Sequence, residues 1–258
     1  MFQMLSVAVV IPAFNESRLL PITLDKIPQI VDRIFVVDDG STDTTHQVVN
    51  ALTDHRIRVI SHGENLGVGR AIASGYQASL NEGYDLVLVM GADDQMDSRE
   101  IPALLRPIAE GQADYVKGNR LGHPDHKKRM PRVRRLGTYY LAYLTRLATG
   151  LPALQDSQCG FTAISRQVLF TLPLDELFPR YGYPNDLLSM IAVRKYRVLD
   201  AVVTPIYGTE NSGLQIHRVL LPLSGILLKA VWRRMAASFR DLHRYSHSSR
   251  VNGTKSSQ

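Results

Sequence analysis

The chain has 258 residues, 45% of them hydrophobic, which is enough to bury one substantial core. A single cysteine, Cys159, excludes an intramolecular disulfide framework and a cysteine-built zinc site, and suits a reducing compartment. The net charge of +6 is concentrated: residues 117–135 carry eight Lys/Arg against one Asp and residues 229–258 seven against one, so the remainder is net acidic.

The N-terminus runs from apolar residues straight into a core strand, without the basic region and small-residue cleavage site of a signal peptide. Strands are expected at "VAVVIPAF" (7–14), "IFVVDD" (34–39), "IRVIS" (57–61) and "LVLVM" (86–90). Between them the spacing turns helical. Leu19, Leu20, Thr23, Leu24, Ile27 and Val31 recur near a 3.6 period, and "GVGRAIASGYQASL" (67–80) is rich in small helix-compatible residues. Apolar strands separated by helices predict an α/β fold, with a mostly parallel central sheet covered on both faces.

Ligands of such sheets sit at the carboxyl ends of the strands. Those ends are followed here by "PAFNE" (12–16), "DDGSTD" (38–43) and "GADDQ" (91–95), so Glu16, Asp38, Asp39, Asp93 and Asp94 converge on one rim. Gathered carboxylates need a cation or hydrogen-bond donors to neutralise them. Ser41, Thr42 or Asp43 is expected to cap the following helix, with Gly40 making the turn, which leaves Asp38 and Asp39 unexplained.

In order and spacing, "VVIPAFNE", "VVDDGSTDTT", "NLGVGRAIASGY" and "LVLVMGADDQMDSREIPALL" resemble the nucleotide-binding half of the family 2 glycosyltransferases, which have the Rossmann-like GT-A fold. "KGNRL", "MPRVRRLGTYYL", "DSQCGFTAISR" and "YGYPNDLL" resemble the polyprenyl-phosphate glycosyltransferase branch typified by dolichyl-phosphate mannose synthase, and the likeness spans roughly residues 5–210.

The resemblance implies that Pro12, Ala13, Asn15 and Glu16 wrap the base and ribose of a nucleoside diphosphate sugar, joined by Asp38 or Asp39, while Gly67, Gly69 and Arg70 lie against the nucleotide. The family's D-x-D motif, which places Mg²⁺ or Mn²⁺ on the diphosphate, falls on Gly91, Ala92 and Asp93, with Gln95 at a further metal-binding position. Its first acid is therefore missing. Mg²⁺ commonly takes one or two carboxylates plus phosphates and waters, so Asp93 with Gln95 suffices, with Asp94 as a substitute ligand. The alternative is a lost metal site, with Arg and Lys neutralising the diphosphate.

In the resembled branch an arginine after the fifth strand and arginines in the next loop grip donor and acceptor phosphates. Arg120 matches the first, and Arg132, Arg134 or Arg135 the second. Guanidinium groups suit this work because they bind phosphate bidentately and stay charged. Lys127, Lys128 and Arg129 read as a solvated basic loop. Nucleic acid is disfavoured as a partner, because residues 117–135 contain no aromatic side chain for base stacking.

A hydroxyl acceptor needs a general base, whereas a lipid monophosphate is already an anionic nucleophile. Family members acting on hydroxyls usually carry two adjacent acids where this chain has Asn185 and Asp186. Asp186 stays a candidate base, and Asp156 matches an Asp near the donor sugar; the competing role for either is to cap a helix or hold Arg120. Cys159 reads as a small buried hydrophobe. His217 lies where the resembled branch often has a basic residue near the diphosphate, with an exposed loop histidine as the favoured competing reading.

The apolar run 219–228 is far shorter than the ~20 residues that span a bilayer. Leu223, Ile226, Leu227, Ala230 and Val231 share one helix face and Lys229, Arg233 and Arg240 another, a pattern that fits an interfacial helix or one packed on its own domain. The expected organisation is a catalytic domain over 1–212, an amphipathic helical segment over 213–244 and a disordered tail over 245–258.

The sequence thus points to an inverting glycosyltransferase at the cytoplasmic membrane face, moving a sugar from a GDP-mannose or UDP-glucose type donor to a polyprenyl phosphate. A soluble transferase acting on a hydroxyl, and a nucleotide-sugar binder without turnover, remain open. Donor base, sugar, lipid length and oligomeric state are not encoded in these motifs.

Overall fold

The structure is a computed structural model that describes residues 1–207 and 222–239. In chain order its elements are β1 (Val7–Ala13), α1 (Leu20–Asp25), β2 (Arg33–Asp38), α2 (Thr45–Asn50), β3 (Ile57–Ser61), α3 (Val68–Glu82), β4 (Leu86–Val89) and α4 (Ile101–Ala109). There follow β5 (Tyr115–Asn119), α5 (His126–Arg129), α6 (Arg132–Thr149), β6 (Thr162–Ser165), α7 (Arg166–Thr171), α8 (Tyr183–Val193) and β7 (Val198–Val202). A last helix, α9, covers 222–239.

The seven strands form one sheet in the order β3-β2-β1-β4-β6-β5-β7. β6 runs antiparallel to both of its neighbours, and every other pairing is parallel. The four expected strands lie where the apolar runs placed them, with ends shifted by at most one residue.

Successive side chains of a strand point to opposite faces, and here both faces are filled. From β1, Val7, Val9 and Ile11 pack with Leu20 and Leu24 of α1 and with Ile101, Leu104 and Leu105 of α4. Ala8 and Val10 face the other way, onto Ala71, Ile72 and Tyr76 of α3 and Leu187 and Leu188 of α8. This is why β1 is apolar at every position rather than at alternate ones. Gly75 brings α3 unusually close, since a Cβ there would overlap the Val10 side chain.

One face of α9 packs on the domain. Leu223, Ile226 and Ala230 are buried against the body, while Leu228, Trp232, Met235 and Phe239 are exposed. His217, Arg240, the start of the 213–244 segment and the 245–258 tail lie outside the described residues.

Candidate functional site

The ends of β1 and β2 are stitched together by local polar contacts. Asn15 turns the chain at φ +57°, and its Oδ1 accepts from the amides of Thr42 (2.8 Å) and Asp43 (3.3 Å). The Glu16 amide donates to Thr45 Oγ1 at 2.8 Å. Asp38 accepts the Ser41 amide at 3.0 Å. None of Ser41, Thr42 and Asp43 is the N-cap of α2: that position is Thr44, whose side chain makes no capping bond, while Asp43 accepts the Thr45 amide at 2.9 Å.

Asp39 organises the third loop. Its Oδ1 contacts His62 Nδ1 at 2.7 Å and accepts the Leu66 amide at 3.1 Å, and its Oδ2 accepts the Gly67 amide at 2.8 Å. Gly67 sits at φ +99° where α3 begins, and a Cβ there would overlap the Pro179 carbonyl. Only glycine fits both constraints.

The three acids after β4 part company. Asp93 faces a cleft and accepts the Gln95 amide at 3.2 Å. Asp94, at φ +56°, turns its carboxylate to Lys26 Nζ at 2.7 Å, and its amide donates to Thr23 Oγ1. Asp97 caps the short 3₁₀ turn Ser98–Glu100 and pairs with Arg99. The Lys26 contact places Asp94 outside the cleft lining, so the structure does not bring it to Asp93 as a shared ligand. A Cβ at residue 91 would lie 2.9 Å from Asp93 Oδ1, in space this carboxylate now occupies.

The cleft has a volume of about 400 Å³. Of the residues singled out in the sequence, Pro12, Ala13, Glu16, Asp39, Gly67, Gly91, Ala92 and Asp93 line it. Asn15 and Asp38 support its loops from outside that lining, and Arg70 donates instead to the Asp175 carbonyl at 2.6 Å. Phe14, Asn65, Arg180 and Tyr181 also line it and were not foreseen. Phe14, Asn65 and Tyr181 fall within motifs quoted from the sequence without being named there, whereas nothing in the local pattern marks Arg180.

A second polar centre lies at the end of β5. Asp156 is fully buried; its carboxylate accepts Arg120 Nε at 2.8 Å and Nη2 at 3.1 Å, and also the amides of Arg120, Gln158 and Cys159. Burial pushes the Asp156 carboxyl up, but the adjoining Arg120 and these donors outweigh it and hold it below its usual range. Holding Arg120, the competing role weighed for Asp156, is what the geometry displays.

The loop that presents Asp156 is clamped from below. Lys117, fully buried on β5, donates to the Cys159 carbonyl at 2.5 Å, and Asp200 on β7 accepts the Gln155 amide at 2.7 Å. Burial lowers the Lys117 ammonium and raises the Asp200 carboxyl to about 6. Cys159 is buried in the core and its thiol is pushed up by burial, which makes it a small hydrophobe.

Arg132, Arg134 and Arg135 occupy the first turn of α6. Arg134 stacks 4.9 Å over the ring of Tyr207, whose phenol burial pushes up, and Arg135 donates to the Lys127 carbonyl. Lys127, Lys128 and Arg129 are exposed as expected, but they lie on the single helical turn α5 and not in a loop. Asp186 is 1% exposed on α8, outside the cleft lining. Its Oδ1 meets Arg233 Nη1 at 2.5 Å and its Oδ2 accepts the Phe178 amide at 2.9 Å, so both oxygens are engaged by groups that hold it in place.

Parallel strand ends that gather loops into a nucleotide-sized cleft, with β6 reversed within the sheet, define a GT-A type glycosyltransferase. The family model described as glycosyl transferase family 2 matches residues 8–171, more than half of the chain, and the protein belongs to that family. It is 28% identical over 218 residues to UDP-N-acetylglucosamine–dolichyl-phosphate N-acetylglucosaminyltransferase of Methanococcus voltae, covering 79% of this chain and 86% of that one. It is also 28% identical over 203 residues to undecaprenyl-phosphate mannosyltransferase of Micrococcus luteus, covering 77% and 82%. Among solved structures, glucosyl-3-phosphoglycerate synthase from Mycobacterium tuberculosis, in complex with Mn²⁺, UDP and phosphoglyceric acid, superposes with a TM-score of 0.69 at 22% identity, over 88% of this chain and 79% of that one. Among the described residues no helix is long and apolar enough to cross a membrane.

Proposed function

We propose that this glycosyltransferase moves a sugar, with inversion, from a nucleoside diphosphate sugar in the cleft to a polyprenyl phosphate. The observation that carries the acceptor is the state of Asp186: a carboxylate closed off by Arg233 and the Phe178 amide is poorly placed to take a proton from a hydroxyl. A phosphate monoester needs no such base, only positioning and charge neutralisation. The dolichyl-phosphate and undecaprenyl-phosphate relatives support the same acceptor class.

In this reading Asp39 and the Asn15 loop shape the base and ribose end of the cleft, and Asp93 faces the diphosphate. Among the described residues no three His, Cys, Asp or Glu side chains gather as a metal cage. Asp93 alone fits an Mg²⁺ or Mn²⁺ ion that draws most of its shell from phosphates and waters, with Gln95 as the further candidate. Such an ion supplies neutralisation of the leaving diphosphate. Arg120, held by Asp156 at the end of β5, supplies a fixed positive charge in this reading.

Peripheral membrane contact belongs to the same proposal. Val133, Leu136, Tyr140, Tyr143 and Leu147 are exposed on α6, and Leu228, Trp232, Met235 and Phe239 on α9. The two helices are linked by Arg234, which donates to the Leu147 carbonyl at 2.8 Å. Apolar and aromatic side chains beside Arg132, Lys229 and Arg234 are the pattern of a surface lying on anionic lipid.

The test is transfer of labelled sugar from UDP- and GDP-linked donors to a short polyprenyl phosphate, with Mg²⁺, Mn²⁺ or EDTA. Metal-dependent product lost in Asp93→Ala supports the proposal; product only with phosphorylated or hydroxylated soluble acceptors refutes the lipid assignment. Trp232 is the sole tryptophan, so its emission should shift to the blue when anionic vesicles are added, and an unchanged spectrum would argue against membrane docking through α9.

A further inference from the structure

Arg233 is not part of the cleft, yet it lies at one end of a short polar chain that reaches it. Its Nη1 donates to Asp186 Oδ1 at 2.5 Å and to Ser189 Oγ at 2.7 Å, with Lys229 Nζ 3.9 Å from the same carboxylate oxygen. The other oxygen of Asp186 holds the Phe178 amide. Phe178 begins the segment whose Arg180 and Tyr181 line the cleft, and whose Pro179 carbonyl accepts the Gly69 amide at 2.7 Å where α3 starts. Ile226 of α9 packs so tightly on Gly182, just beyond this segment, that a Cβ there would overlap it.

We propose that Arg233 is a positioning residue: by neutralising buried Asp186 it fixes the 178–181 wall of the cleft, so that the seating of α9 on the body sets the affinity for nucleotide. The inference rests on the reading of the cleft as the nucleotide site. Without its guanidinium partner, buried Asp186 keeps only Lys229, 3.9 Å away, and an Asp186 side chain that moves from its place releases the Phe178 amide. Coupling of this kind is reciprocal, so bound nucleotide must in turn hold α9 in place by the same factor.

The experiment measures UDP and GDP binding in the presence of Mn²⁺, together with hydrogen exchange of the 222–239 amides, on the full-length wild type, Arg233→Met and Arg233→Lys. The expected result is a Kd raised about tenfold in Arg233→Met, largely restored in Arg233→Lys, with nucleotide slowing exchange in α9 of the wild type but not of Arg233→Met. If Arg233→Met does not fold, the pair Asp186→Asn/Arg233→Met leaves no buried charge unpaired and carries the test: nucleotide affinity near that of the wild type, but no nucleotide-dependent protection of α9. Wild-type affinity and wild-type protection in either variant overturn the inference. A wild type that binds neither nucleotide overturns the cleft reading and this inference together, whereas nucleotide binding with unchanged exchange in α9 overturns the inference alone.

Discussion

Replacing Asp156 by Ala should be among the most damaging single changes in the molecule. The carboxylate is fully buried and receives both arms of Arg120 as well as the amides of Arg120, Gln158 and Cys159. Removing it strands a guanidinium that is only 19% exposed and leaves three amides without their acceptor. Breaking a buried pair from one side costs roughly 3–5 kcal/mol, and partial access of water to Arg120 sets the expectation near the lower end, about 3 kcal/mol. Against a typical total of about 5–15 kcal/mol this is a large share. Urea unfolding at neutral pH, followed by circular dichroism, reads it as a lower midpoint at unchanged slope. Asp156→Leu/Arg120→Met, which removes both charges, should recover much of the loss. A cost below about 1 kcal/mol for Asp156→Ala would show that the pair behaves as a solvent-screened surface contact, and would refute the assignment of Arg120 as a rigidly held cation.

Asp93 and Asp94 are expected to separate cleanly on substitution: Asp94→Asn loses only a half-exposed pair with Lys26, changing stability by less than about 0.5 kcal/mol and leaving transfer intact, whereas Asp93→Asn lowers kcat/KM by more than about tenfold. Equal losses in the two variants would contradict the geometry after β4. Asp200 makes stability depend on pH with a definite sign. Burial raises its carboxyl from 3.8 to about 6, so the folded state holds the proton more tightly. Its contribution, about 1–2 kcal/mol after allowance for partial exposure, is present below about pH 4 and lost as pH rises through about 6. Asp200→Asn should remove that slope from thermal melts taken between pH 4 and 7, and a slope that persists would place its origin elsewhere.

What the sequence disclosed and what it withheld follow from the range of the interactions. β1, β2 and β4 were legible because strands buried on both faces are apolar along almost their whole length, and β3, partly exposed at the sheet edge, by its β-branched Ile57, Val59 and Ile60. β5 carries buried Lys117 in its middle and β7 carries half-buried Asp200, and these polar groups, which clamp the Asp156 loop, break the apolar signal that would have marked the strands. β6 is four residues long and inserts between β4 and β5, an order no local pattern encodes. The strand-end loops could be placed from the same rule that located the strands, but the divergence of Asp93 from Asp94 depends on one residue at positive φ. The engagement of Asp186 by Arg233 joins positions 47 residues apart, beyond any spacing argument.

The position of β6 also has a consequence for how the chain is made. β4 is bounded on one side by β1, which precedes it, and on the other by β6, which is synthesised only after β5, α5 and α6. As the polypeptide grows from its N-terminus, the ladder β3-β2-β1-β4 can assemble early, but the free edge of β4 stays open until residues 162–165 emerge. Unpaired strand edges invite association with other chains. The interval between completion of β4 and arrival of β6 is therefore the stage at which this protein most needs shielding during synthesis, and substitutions that slow the delivery of β6 should lower soluble yield more than they lower the stability of the finished fold.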